Sequence, residues 1–282
     1  MGRLFTFGCS FTQYKWPTWA DILGRQFDYY ENWGKAGAGN QYIVNSITEA
    51  HLRNKFTPDD TIVVMWTSFL RLDMYTDKNV NFNNRIYKQG WFTPGNLDGW
   101  TKEMYGDKFC DIFINPRGCY IKDLPMMFLA DQLLESIGCK KYYLSMVDVG
   151  MPTDIYDLSF FKKMLRKNAV EDYECREPLE LYSPIVEKIR PSVHNKIFDY
   201  DWQSRKLLLG EFSDKSSPWR TDSHPVPDEH LEYLQKVLPE LTIPQNTIDW
   251  THNITQQILD GTYELAEKDF VEPSLHAPKH RL

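Results

Sequence analysis

The chain has 282 residues, 42% of them hydrophobic and 25% charged, a composition that fits a folded globular protein with room for one large domain. A formal net charge of −7 argues against a general nucleic-acid binder, which needs clustered Lys and Arg to neutralise phosphates. No stretch approaches the ~20 apolar residues of a membrane-spanning helix, so neither nucleic acid nor a bilayer is expected as a partner.

Arg3–Phe7 is a short β-prone run ended by Gly8-Cys9-Ser10. Its apolar part is too short for the core of a secretion signal. The five cysteines (Cys9, Cys110, Cys119, Cys139, Cys175) are widely spaced without a C-x-x-C pair. Both features predict synthesis in the cytoplasm with free thiols, and leave open later release by lysis or packaging in a virion. A helix is predicted from Pro17, with Trp19, Ile22 and Leu23 on one face. Phe27 to Trp33 reads as a second strand, followed by a loop with three glycines, Gly34, Gly37 and Gly39. Ile43, Val44, Ile47, His51 and Leu52 recur at helical spacing, and Thr61 to Trp66 is the clearest buried strand. The order β-α-β-α-β predicts an α/β fold with a mainly parallel sheet between two helical layers.

Between about residues 71 and 125 this alternation stops in a stretch rich in Asn, Gly, Asp and aromatics, too long for an ordinary connection and read as an insertion or lid. It resumes with a helix from Leu124 to Ile137 and a strand from Lys141 to Val147. Residues 150–218 carry little pattern beyond a helical piece at Phe160–Lys167, whose basic run reads as a wet helix face. Helices are predicted at Glu229–Leu238 and Thr247–Leu259. The expected organisation is one domain over residues 1–262, interrupted by the insertion, and a tail over 263–282.

Three segments bear chemistry. Ser10 follows the first strand, where parallel sheets bind ligands, and Gly8 beside it permits a tight turn. Considered alone, this is also an ordinary turn. His224, in Asp222-Ser223-His224-Pro225 ahead of a helix, offers the base that a hydroxyl nucleophile needs, and Asp222 offers a carboxylate to orient it. The segment Asn32-Trp33-Gly34-Lys35-Ala36-Gly37-Ala38-Gly39-Asn40 can expose backbone N–H groups to an oxyanion.

Taken in chain order, the three segments resemble the blocks of the SGNH (GDSL-like) hydrolases. The resemblance covers the sheet-forming parts of residues 1–70 and 120–240. It implies a flavodoxin-like three-layer α/β/α sandwich, Ser10 as nucleophile and, through its amide, oxyanion donor, Gly37 N–H as a second donor, and His224 as base. The sequence departs from the family at two points. Met65-Trp66-Thr67-Ser68 stands where the family has Gly-x-Asn, which puts Ser68 at the third donor's position, with Asn40 as a substitute. Asp222 lies two residues before His224 rather than three. The short first block and compact Asp-x-His-Pro are similar to SGNH-like proteins of phages and large viruses.

The implied activity is that of a serine esterase working through an acyl-serine, with an acyltransferase as a variant. The expected substrate is a small-molecule or carbohydrate ester, preferably an O-acylated sugar that suits the aromatic residues. No cofactor or metal is called for. Asp222, His224 and His230, or His276 and His280, lack a full ligand set for a metal site. The alternative is a non-catalytic carbohydrate-binding or virion-associated protein on the same scaffold.

Overall fold

The computed structural model describes residues 2–82, 85–87, 89–93, 95, 105–113, 116–149, 176–197 and 224–263. Four segments pair in parallel into one sheet: β1 (Arg3–Phe7), β2 (Tyr29–Asn32), β3 (Thr61–Trp66) and β8 (Lys140–Ser145), in the order β2-β1-β3-β8. The register sets Leu4 opposite both Tyr30 and Thr61, and Val63 opposite Tyr142. All six residues of β3 are buried. That is why they read as an unbroken apolar run: an inner strand with both faces covered has no side to give to water.

The chain passes from β1 to β2 through α1 (Trp19–Gly24), then back across β1 to β3 through α2 (Asn40–Asn54). Parallel crossovers are right-handed, so two that move in opposite directions leave their helices on opposite faces. The packing agrees. Helix α2 lies against α4 (Pro116–Ile137), whereas α1 lies against α8 (Pro227–Val237), which also contacts α9 (Gln245–Leu259). The result is the α/β/α sandwich expected from the alternation.

Local chemistry sets the helix ends. Thr18 caps α1, accepting the Ala20 N–H at 3.3 Å while its own N–H donates to Asp21 Oδ2 at 2.8 Å. Pro227 opens α8, and Glu229 accepts the Val226 N–H at 2.7 Å. Helix α4 begins eight residues before the expected Leu124. Pro125 lies inside it, so a proline that reads as a helix boundary is accommodated within the helix. This shortens the insertion at its C-terminal side. Its described part contains two antiparallel pairs, β4 (Met74–Thr76) with β7 (Gly90–Phe92) and β5 (Val80–Phe82) with β6 (Arg85–Tyr87), then helix α3 (Asp107–Phe113). Between β8 and α8 lie three short helices, α5 (Arg176–Leu181), α6 (Ser183–Val186) and α7 (Val193–Lys196). The expected helix at 160–167 and the tail beyond residue 263 lie outside the described residues. Cys9, Cys119 and Cys139 are buried, and Cys9 and Cys139 are free thiols. No described helix is long and apolar enough to cross a membrane.

At the N-terminal edge of the sheet Arg3 clamps Asp60, with Nε to Oδ1 at 2.8 Å and Nη2 to Oδ2 at 2.6 Å, and the Thr57 N–H adds a third bond at 2.7 Å. Burial alone would raise the Asp60 carboxyl, but these donors outweigh it and hold it below its ordinary value of 3.8. Asp60 therefore contributes stability that is full above that value and lost as pH falls through the lowered one. Asp60→Ala is expected to cost about 2 kcal/mol at neutral pH. It should also flatten the acid limb of a melting-temperature-against-pH curve.

Candidate active site

In an open parallel sheet the crevice opens where successive connections leave a strand in opposite directions, outside the strands' carboxyl ends. Here that point lies between β1 and β3, and Ser10 follows β1 directly. Cys9 O accepts the N–H groups of Thr12 at 2.9 Å and Gln13 at 3.1 Å, closing a turn that holds Ser10 and Phe11 at its bend. Gly8 is needed for this turn, since a Cβ there would sit 2.0 Å from Thr12 Oγ1 and 3.1 Å from Met65 O. Ser10 is 8% exposed.

The loop after β2 is bonded to this turn. Lys35 N–H donates to Gly8 O at 3.0 Å, and Asn32 Nδ2 donates to Thr12 O at 2.9 Å while Asn32 Oδ1 accepts from Gly34 N–H. Gly37 lies two residues further on, with φ +76. The loop after β3 carries Ser68, whose hydroxyl accepts the Leu70 N–H at 3.2 Å.

His224 reaches the same end of the sheet from the far end of the sequence. Its imidazole stacks on Tyr14 with centroids 3.9 Å apart and 17° between planes, and lies 5.4 Å from the ring of Phe11, the neighbour of Ser10. Trp16 Nε1 donates to Pro225 O at 2.7 Å and ties the two segments together. Among the described residues no hydrogen bond joins Ser10 to His224; the loops are held by their aromatic neighbours. Catalytic hydrogen bonds in ligand-free enzymes are often long and tighten only around substrate.

The other predicted site residues fare differently. Asp222 lies outside the described residues. Asn40 is buried and its amide is committed: Nδ2 donates to Thr67 O at 3.2 Å and to Asp123 Oδ2 at 2.9 Å, and Oδ1 accepts the Thr67 N–H at 2.9 Å. Both amide hydrogens are used, so the expectation that Asn40 substitutes as an oxyanion donor is corrected to a structural role. His230 is buried on α8. Among the described residues no three His, Cys, Asp or Glu side chains come together as a metal-ligand group.

Sequence reasoning missed a buried polar cluster behind the Gly37 loop. Asp73 receives the N–H groups of Gly39 and Tyr42, each at 2.8 Å, and so caps α2 from outside the helix. Arg71 donates through Nη1 to Ala38 O at 2.8 Å and reaches Met146 Sδ through Nη2 at 3.4 Å. Lys122 Nζ donates to Arg71 O at 3.0 Å and stands 3.2 Å from Asp123 Oδ1. The Arg-x-Asp spacing of Arg71 and Asp73 is the one sequence signal for it, and nothing local distinguishes it from a surface pair. His194 on α7 also approaches Phe11, with rings 6.2 Å apart.

No protein-family model matches the chain, and no curated protein matches its sequence. Among solved structures, the crystal structure of a member of the lipolytic protein G-D-S-L family from Veillonella parvula DSM 2008 is similar over 86% of this chain and 100% of that chain. The two share 13% sequence identity, with a TM-score of 0.41. The roles of individual residues therefore rest on the geometry of the site itself.

Burial pushes the Asp123 carboxyl up from 3.8 to about 6, against the opposing pull of Lys122 and Asn40. A folded-state pKa above the unfolded one means the native state holds the extra proton between them, so stability falls as pH rises through that window. Asp123→Asn keeps an acceptor for Asn40 without the charge. Its stability relative to the parent, measured by urea denaturation, is expected to rise by about 2 kcal/mol between pH 4 and pH 8.

Proposed function

We propose that this protein is a serine esterase that cleaves or transfers an acyl group through an acyl-serine intermediate. The observation that carries this reading is the convergence of Ser10, at the switch point of the parallel sheet, with His224, stacked on Tyr14 of the loop that Ser10 begins. A hydroxyl is a poor nucleophile near neutral pH until a base accepts its proton, and imidazole titrates in the right range.

In the proposed sequence, Ser10 Oγ attacks the ester carbonyl carbon while His224 takes the hydroxyl proton. The amides of Ser10 and Gly37 hold the negative charge that develops on the carbonyl oxygen. The Ser68 hydroxyl is a third donor on this reading, its oxygen already accepting from Leu70 N–H and its hydrogen left to donate. His224 then protonates the departing alkoxide and activates water, or an acceptor hydroxyl, to release the acyl group. Asp222 is assigned to orient the imidazole. An O-acylated carbohydrate remains the preferred substrate. Support for it comes from Tyr75 on β4, 60% exposed and edge-on to Trp91 of β7 at 6.0 Å, which offers a flat face for a sugar ring.

A fluorophosphonate probe should label the full-length protein, and Ser10→Ala should abolish both labelling and the turnover of an aryl acetate. His224→Ala should slow labelling by on the order of 10²-fold or more. Turnover unchanged in Ser10→Ala refutes the assignment. Absence of labelling in folded protein favours a binding role for the scaffold.

A further inference from the structure

The insertion is bonded directly to the loop that carries the Gly37 amide. Two residues beyond Trp91, Thr93 Oγ1 donates to Ala36 O at 2.8 Å. Thr93 is itself buried, 6% exposed. Its carbonyl oxygen lies so close to Gly37 that a Cβ there would stand 2.2 Å from it, so the strand end crosses the loop where the chain has no side chain and a positive φ.

This contact has a geometric consequence. Ala36 C=O and Gly37 N–H belong to one peptide unit, which is planar and trans, so its carbonyl and N–H point in opposite directions. Fixing the carbonyl fixes the direction of the N–H, which is turned away from the Thr93 hydroxyl. The Ala38–Gly39 peptide, two units further along, is gripped in the same way: Ala38 C=O accepts from Arg71 Nη1 and Gly39 N–H donates to Asp73 Oδ1. The Ala36–Gly37 peptide is the central unit of the turn that Ala38 N–H closes onto Lys35 O at 3.0 Å, and within that turn Thr93 holds its carbonyl end. A hydrogen bond to the carbonyl also polarises the amide and strengthens the N–H as a donor.

We infer that Thr93 is a positioning residue for the Gly37 oxyanion donor, so that the insertion completes the oxyanion hole of this chain. The inference rests on the acyl-serine reading above. It gives the insertion a role in orienting a donor, at a site where the third-block amide side chain is replaced by the shorter Ser68.

Thr93→Val replaces the hydroxyl with a methyl group of nearly the same shape, and Thr93→Ser keeps the hydroxyl. Removing an oxyanion donor outright costs about 10² to 10³ in kcat; losing only its orientation should cost less, about tenfold, with KM little changed. Thr93→Ser should restore kcat. Independently of catalysis, the Gly37 amide nitrogen resonance should move in Thr93→Val and stay near its parent position in Thr93→Ser. Parental kcat together with an unmoved Gly37 resonance in folded Thr93→Val overturns the inference while leaving Ser10 labelling intact. An equal loss in Thr93→Ser also overturns it, since packing would then be the cause. A parent protein that is not labelled at Ser10 removes the reading on which it rests. Should Thr93→Val not fold, Thr93→Ala is read by the same two measurements.

Discussion

The side-chain amide of Asn40 pairs with the backbone of Thr67 at both its N–H and its C=O, as a neighbouring strand would. That pair joins the first residue of α2 to the end of β3, across the mouth of the crevice, and much of the site's geometry follows from it. With α2 anchored there, the loop that precedes it is confined between β1 and the insertion. Its carbonyls and amides are then taken up by Arg71, Asp73 and Thr93 from one side and by Gly8 from the other. A buried primary amide satisfied on every hydrogen is rigid, because any movement strands a polar group away from water.

The charges around this pair serve the same end. The first turn of a helix leaves N–H groups without partners and carries partial positive charge, and the Asp73 carboxylate meets both needs for α2. Burial still pushes Asp73 above the ordinary carboxylate range, so the arrangement trades intrinsic stability for a fixed loop. Met146 accepts at its sulfur from Arg71, from Thr67 Oγ1 at 3.7 Å and from the Cys9 thiol at 3.6 Å. A polarizable thioether suits a place where three donors converge from two loops, since its weak acceptor capacity is spread over broad directions.

The layers of the fold were legible because they depend on local rules. The buried run of β3 and the apolar faces of α1 and α8 announce themselves within a few residues, whereas those helices begin at Trp19 and Pro227 rather than at the expected Pro17 and Glu229. Ser10 and His224 can be placed relative to those elements, Ser10 after the first strand and His224 ahead of α8, and their roles belong to the proposal. What depended on partners far along the chain was hidden. Asn40 looked like a spare donor because its acceptors, Thr67 and Asp123, are 27 and 83 positions away. Arg71 and Asp73 looked like the start of a polar insertion, although they are buried against α2 and its leading loop. Pro125 marked a false boundary, since a proline signals a lost hydrogen bond without saying whether the surrounding packing tolerates it.

The insertion illustrates the same division. Its composition suggested a lid or satellite domain, a reading based on its exposed aromatics. The contact that touches the peptide of the proposed donor is made by a threonine hydroxyl and a peptide carbonyl, groups with no distinctive sequence signature. A peptide plane can be aimed by holding either of its ends, so an oxyanion hole can be tuned from behind by residues that never touch the substrate. Such a device leaves no motif. In this chain it is visible through the glycine that lets Thr93 approach, and that glycine is the residue whose amide the proposed reaction uses.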